Sequence, residues 1–105
     1  MQRAAAQPAA PLFRGYNVKI LILGAAAGGG FPQWNCNDPV ARSAWAGKLR
    51  HRTQSSIAVS LDGRHWVLLN ASPDLRQQIR DNPQLHPGAD ASLRASPIAA
   101  VVLTN

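Results

Sequence analysis

Two runs that favour extended backbone, Ser55–Ser60 and His65–Asn70, flank the tetrapeptide Leu61-Asp62-Gly63-Arg64. Asp-Gly in that place is the usual signal of a two-residue hairpin turn, because such turns need positive φ and these residues tolerate it. The spacing predicts an antiparallel pair, and the rest of the fold must be built around it. Val18-Lys19-Ile20-Leu21-Ile22-Leu23 is β-branched and leucine-rich, stops at Gly24, and is expected to be a buried strand. Ser96-Pro97 opens a last strand, Ile98–Leu103.

One helix is predicted between these strands. Ser72-Pro73-Asp74 has the order of a helix start: a hydroxyl N-cap, proline in the first turn, and an acid at the positive end of the dipole. Leu75 and Ile79 lie four apart and share a face, and Pro83 stops the helix. Asn82 through Ala95 reads as a loop. The expected class is α+β. Four strands and one short helix cover one face of a sheet at best, so these residues are expected to form the front part of a larger domain. The position of Asn105, two residues after a buried strand, fits that expectation.

Composition narrows the function classes. Hydrophobic residues make up 46% of the 105, the share of a globular chain, and a single cysteine, Cys36, excludes a disulfide framework. No apolar run approaches the roughly 18–20 residues of a membrane span. Met1–Asn17 is rich in Ala, Gln and Pro and is expected to be a disordered extension; Gln7 and Pro8 interrupt its alanines, so it is not a secretory signal. Eleven Lys and Arg against five acids give a net charge of +6. These cations are spread along the chain, and their one cluster, Lys48–Arg52, lacks the interleaved aromatics of a single-strand binder, so nucleic acid is not the expected partner.

The glycine loop Gly24-Ala25-Ala26-Ala27-Gly28-Gly29-Gly30 follows a strand, as a dinucleotide fingerprint does. That chemistry needs the turn to open a helix, and Phe31-Pro32-Gln33-Trp34-Asn35 is a poor first helical turn. No Lys-Ser/Thr follows for a P-loop. The whole string from Gly28 to Asn37, GGGFPQWNCN, resembles the N-terminal signature of the pyrroloquinoline quinone (PQQ) biosynthesis protein B family of the metallo-β-lactamase superfamily. Arg52–Ser60, Trp66–Ile79 and Ser96–Asn105 resemble the same family, in order, so the likeness runs from Val18 to Asn105.

The resemblance implies a metallo-β-lactamase-like αββα sandwich, of which residues 18–105 are the N-terminal portion. The superfamily's metal motif, His-x-His-x-Asp-His, follows a strand ending in Leu-Thr, and in this family its first position is commonly Asn. Asn105 stands there, and no catalytic residue is assigned to the chain. Many members also carry a structural zinc on Cys-x-Cys-x-x-Cys, since closely spaced thiolates close a tetrahedral shell. Here those positions hold Cys36, Asp38 and Ala41; a remnant zinc site, completed by His51 or another group, stands against the plainer reading of a small residue in a loop. His65 is a strand residue before it is a ligand. Asn70 and Asp74, at a strand end and a helix start, are expected at the edge of the superfamily's site, where capping alone also accounts for them. Trp34 and Trp45 are loop aromatics that are candidates to line a pocket, with core packing the plainer expectation.

For function the resemblance implies PQQ biosynthesis, through metal-dependent oxidative hydroxylation of the tyrosine ring in a Glu–Tyr species derived from a precursor peptide. Iron suits oxygen chemistry at a carboxylate-rich site better than zinc does. The alternative is a carrier that takes PQQ or its precursor towards the periplasm. Other PQQ biosynthesis proteins are the implied partners, the cytoplasm is the implied location, and residues 1–105 alone are expected to be inactive.

Overall fold

The computed structural model describes residues 17–104. The expected extension 1–17 falls almost wholly outside the described residues, and so does Asn105. Four strands, β1 (Lys19–Gly24), β2 (Ser56–Ser60), β3 (Trp66–Leu69) and β4 (Ile98–Val102), form one sheet in the order β1-β2-β3-β4. β1 and β2 pair antiparallel, as do β2 and β3, whereas β3 and β4 run parallel. A parallel neighbour requires a crossover. Helix α2 (Leu75–Asp81) and a 3-10 turn at Pro83–Leu85 lie within it.

The pleat sends alternate side chains to opposite faces, and the faces differ. On one, Leu23, Ala58, Trp66 and Leu68 form a buried cluster with Leu85, against which Leu75 and Ile79 of α2 and Ile98 of β4 pack. On the other, the register places Ile20 beside Val59, Ile22 beside Ile57, Ile57 beside Leu69 and Val59 beside Val67. Nothing among the described residues covers this second face; Ile22 is 72% exposed and Ile20 59%. No helix among the described residues is long and apolar enough to cross a membrane.

Local chemistry differs from the expected elements in several places. The hairpin is not closed by a two-residue turn: Val59 pairs with Val67, so residues 61–65 form a wider connection. The Asp62 carboxylate organises it, its Oδ1 accepting from the N–H groups of Arg64 and His65, each at 2.8 Å, while Gly63 takes φ 76°. Asp62 Oδ2 meets His65 Nδ1 at 2.7 Å. The His65 ring, followed by the two N–H donors, holds the Asp62 carboxyl well below the usual carboxylate range.

The helix after β3 starts later than predicted, at Leu75. Ser72 instead builds a turn, its Oγ accepting from the Asp74 N–H and its carbonyl from the Leu75 N–H, both at 3.1 Å. A first helix, α1 (Pro39–Trp45), was not predicted. Asp38 caps it, with Oδ1 accepting from Ala41 N–H at 2.8 Å, and Pro39 occupies its first turn. Trp34 and Trp45, expected in the core, are 76% and 51% exposed. The segment that carries them packs small residues inward instead, Ala41 and Ala44 being the buried side chains of α1.

Candidate functional site

The polar chemistry collects where β3 and β4 end. Asn70 follows β3 with φ 75°, a left-handed conformation that Asn adopts more readily than most residues. Its N–H donates to the Val102 carbonyl at 2.7 Å, its Nδ2 to the Ser55 carbonyl at 2.9 Å, and its carbonyl accepts from Ser56 Oγ at 2.8 Å. One residue therefore ties the ends of β2, β3 and β4 together.

The glycine loop lies against the same edge. Ala26 N–H donates to Thr53 O at 3.0 Å and Ser55 N–H to Ala26 O at 2.9 Å, while Phe31 and Arg52 exchange backbone bonds of 2.8 and 2.7 Å. Gly24 shows why the strand must end in glycine: a Cβ there would stand 2.4 Å from both Gln54 O and Thr53 Oγ1. Between the loop and Asn70 is a cavity of about 400 Å³, lined among others by Ala26, Gly28, Gln54, Asn70, Ser72 and Thr104. Thr104, the last described residue, is part of that lining.

Asp74 reaches this edge from α2, but not as a cap; its carboxylate makes no bond to its own helix. Oδ2 accepts instead from the N–H of Gln54 at 2.8 Å and from Gln54 Nε2 at 3.2 Å. Gln54 Oε1 in turn accepts from the Gly29 N–H at 2.9 Å. The sequence reading passed over Gln54, because an isolated amide between two strands has no periodic signature. Gln78 was findable: it shares the Leu75/Ile79 face, so a polar residue there is forced inward. It is buried and donates Nε2 to Gln54 O at 2.9 Å and to Thr53 Oγ1 at 3.1 Å.

The donors around Cys36 do not suit a closed zinc shell. The Cys36 thiol donates to Asp38 Oδ2 at 3.3 Å, and the other Asp38 oxygen is occupied by the helix cap. The Ala41 N–H, then the Cys36 thiol, hold the Asp38 carboxyl below its ordinary value. The third family position, Ala41, is buried and has no ligand atom. His51 Nε2 donates to the Ala44 carbonyl at 3.1 Å, and its ring meets Trp45 edge-on at 5.7 Å. Trp45 Nε1 donates to Cys36 O at 3.1 Å, so this segment is closed by a cap, an indole and an imidazole. Among the described residues no three His, Cys, Asp or Glu side chains could jointly hold a metal. The cavity side chains are neutral amides and hydroxyls and hold none by themselves. His65 lies away from this cavity, on the hairpin loop.

The sheet with its outer helix, bare inner face and polar strand ends defines a protein of the metallo-β-lactamase-like class. No family profile matches the chain. Coenzyme PQQ synthesis protein B of Rhodopseudomonas palustris (strain TIE-1) is 61% identical over 88 residues, covering 84% of this chain and 28% of that protein. The protein of the same name from Methylorubrum extorquens (strain PA1) is 64% identical over 88 residues, covering 82% and 29%. The crystal structure of Zn(2+)-bound PqqB from Methylobacterium extorquens superposes with a TM-score of 0.76 at 64% identity, over 82% of this chain and 29% of that one. The chain belongs to the coenzyme PQQ synthesis protein B family and spans less than a third of the length of these relatives.

Proposed function

We propose that residues 18–105 are the N-terminal portion of a metallo-β-lactamase-like domain that acts in PQQ biosynthesis, in the cytoplasm. The observation that carries this reading is the cavity at the ends of β3 and β4. Its lining residues, from Ala26 to Thr104, belong to a segment 61–64% identical to PQQ synthesis proteins. The bare aliphatic face supports the domain assignment, since Ile20 and Ile22 would each contribute about 1.5–3 kcal/mol when a second layer covers them.

The reaction is hydroxylation of the tyrosine ring of a Glu–Tyr species. A ring C–H becomes C–OH; one atom of dioxygen enters the ring and the other leaves as water, with two electrons and two protons from an external reductant. Iron, held by Asn105 and ligands outside this chain, would supply the dioxygen activation. The residues of this chain bind and orient. The Ser72 hydroxyl and the Asn70 amide offer neutral hydrogen bonds to a peptide carboxylate or phenol, and the loop contributes only the small residues Ala26, Ala27 and Gly28 to the cavity wall.

The test incubates the full-length protein, loaded with ferrous iron, with oxygen, reductant and the Glu–Tyr dipeptide. Gain of one oxygen atom per dipeptide by mass spectrometry supports the reading. Tight binding of PQQ without any such gain would favour the carrier instead, since neutral donors suit binding without chemistry.

A further inference from the structure

We propose that Asp74 is a positioning residue that acts through Gln54 on the glycine loop, holding Gly29 and with it the adjoining Gly28, which lines the cavity. Gly29 and Gly30 take φ values of 92° and 77°, and three successive glycines have no side chains to pack. The Gly30 N–H donates to Ala27 within the loop itself, so it does not anchor the loop to the sheet. The backbone bonds of Ala26 and Phe31 hold the two ends of the loop, and the bond from Gly29 N–H to Gln54 Oε1, 2.9 Å, ties the tip between them to the chain beneath. Gln54 can present that oxygen only if its side chain is fixed. Asp74 Oδ2 fixes it, taking both Gln54 Nε2 at 3.2 Å and Gln54 N–H at 2.8 Å. From the far side the buried Gln78 holds the Gln54 carbonyl at 2.9 Å. A carboxylate just before α2 thereby sets the position of a loop in another part of the sequence, next to the cavity-lining Gly28.

Other roles for Asp74 make different predictions. A capping group would bond its own helix, which Asp74 does not.

The experiment measures amide hydrogen exchange at Gly29 in the full-length protein, with Ile57 and Leu68 as controls for the intact sheet. Asp74→Ala is expected to speed Gly29 exchange by about tenfold, the loss of one hydrogen-bonded anchor, with the controls unchanged. Asp74→Asn keeps an oxygen that can accept the same two donors and is expected to stay within about threefold of the parent. Gln54→Ala should match Asp74→Ala, and the double variant should be no faster than either single one, because the two residues form one relay. Unchanged Gly29 exchange in both alanine variants overturns the proposal. So does an additive double variant. If Asp74→Ala fails to fold, Gln54→Ala and Asp74→Asn still decide it.

The consequence for catalysis rests on the function proposed above: Asp74→Ala should raise KM for the Glu–Tyr dipeptide about tenfold and leave kcat nearly unchanged. Gly29 exchange reads the relay whatever the substrate proves to be. A wrong substrate therefore leaves the exchange result standing, and a failed relay leaves the hydroxylation assay standing.

Discussion

The two faces of this sheet are written by the same strands and reach opposite ends. On the helix side, Trp66, Leu68 and Leu85 are sealed from solvent, with Leu75 and Ile79 closing over them. On the other side, Ile20, Ile22, Ile57, Val59, Val67 and Leu69 make a face of the same chemistry with no cover among the described residues. Strands apolar on both faces belong to the middle of a layered fold, whereas a sheet that meets water on one side alternates with polar residues. The bare face is the surface to which the domain reading proposed above assigns a second layer.

The largest effect should separate the faces directly. Leu68→Ala is expected to cost about 2–5 kcal/mol by urea denaturation, because it hollows a sealed cluster. Ile22→Ala should cost under about 0.5 kcal/mol in the 105-residue chain but about 2–5 kcal/mol in the full-length protein. Equal costs for Ile22→Ala in both contexts would break the comparison. Next, the 105-residue chain alone should show a broad urea transition and bind a hydrophobic dye, and the Ile20→Lys/Ile22→Lys pair should lower dye binding with α2 intact by circular dichroism. A steep single transition without dye binding would mean that the bare face is not a liability.

A smaller effect concerns the hairpin loop joining β2 and β3. Asp62 has a depressed carboxyl pKa when folded, so its contribution is present above its unfolded value near 3.8 and is lost as pH falls towards the folded value. The contribution is small because the group is exposed. Amide exchange at Arg64 and His65 should therefore accelerate below about pH 4 in the parent and show no such step in Asp62→Asn. The smallest effect is expected from zinc. With Cys36 bonded to Asp38 and Ala41 in place of a third thiol, micromolar zinc should leave Tm unchanged and Cys36→Ser should bind no less metal. A stoichiometric zinc bound through Cys36 would reverse the assignment of that segment.

Most of the sheet was readable from residue pattern. β1, β2, β3 and β4 fall on the β-rich runs, and Leu75 and Ile79 do share the packed face of their helix. What escaped was decided by polar side chains acting at a distance. Asp74 has the right place for a helix cap, and only the fold reveals that Gln54, twenty residues earlier, takes its carboxylate. Asp62-Gly63 carries the signature of a tight turn, yet the Asp62 carboxylate gathers the next two amides and widens it. Helix α1 is short and has only alanines on its buried side, so it has no apolar period to notice; its cap, Asp38, was considered only as a ligand. Trp34 and Trp45 misled because bulk alone does not bury a side chain when the surrounding segment offers no pocket.

The geometry at Asn70 leaves evolution little room at that codon. Its backbone excludes β-branched and bulky residues, glycine would fit but abandon the Ser55 carbonyl, and aspartate would set two oxygens against each other there. A saturation library selected for folding should converge on asparagine, with glycine a distant second.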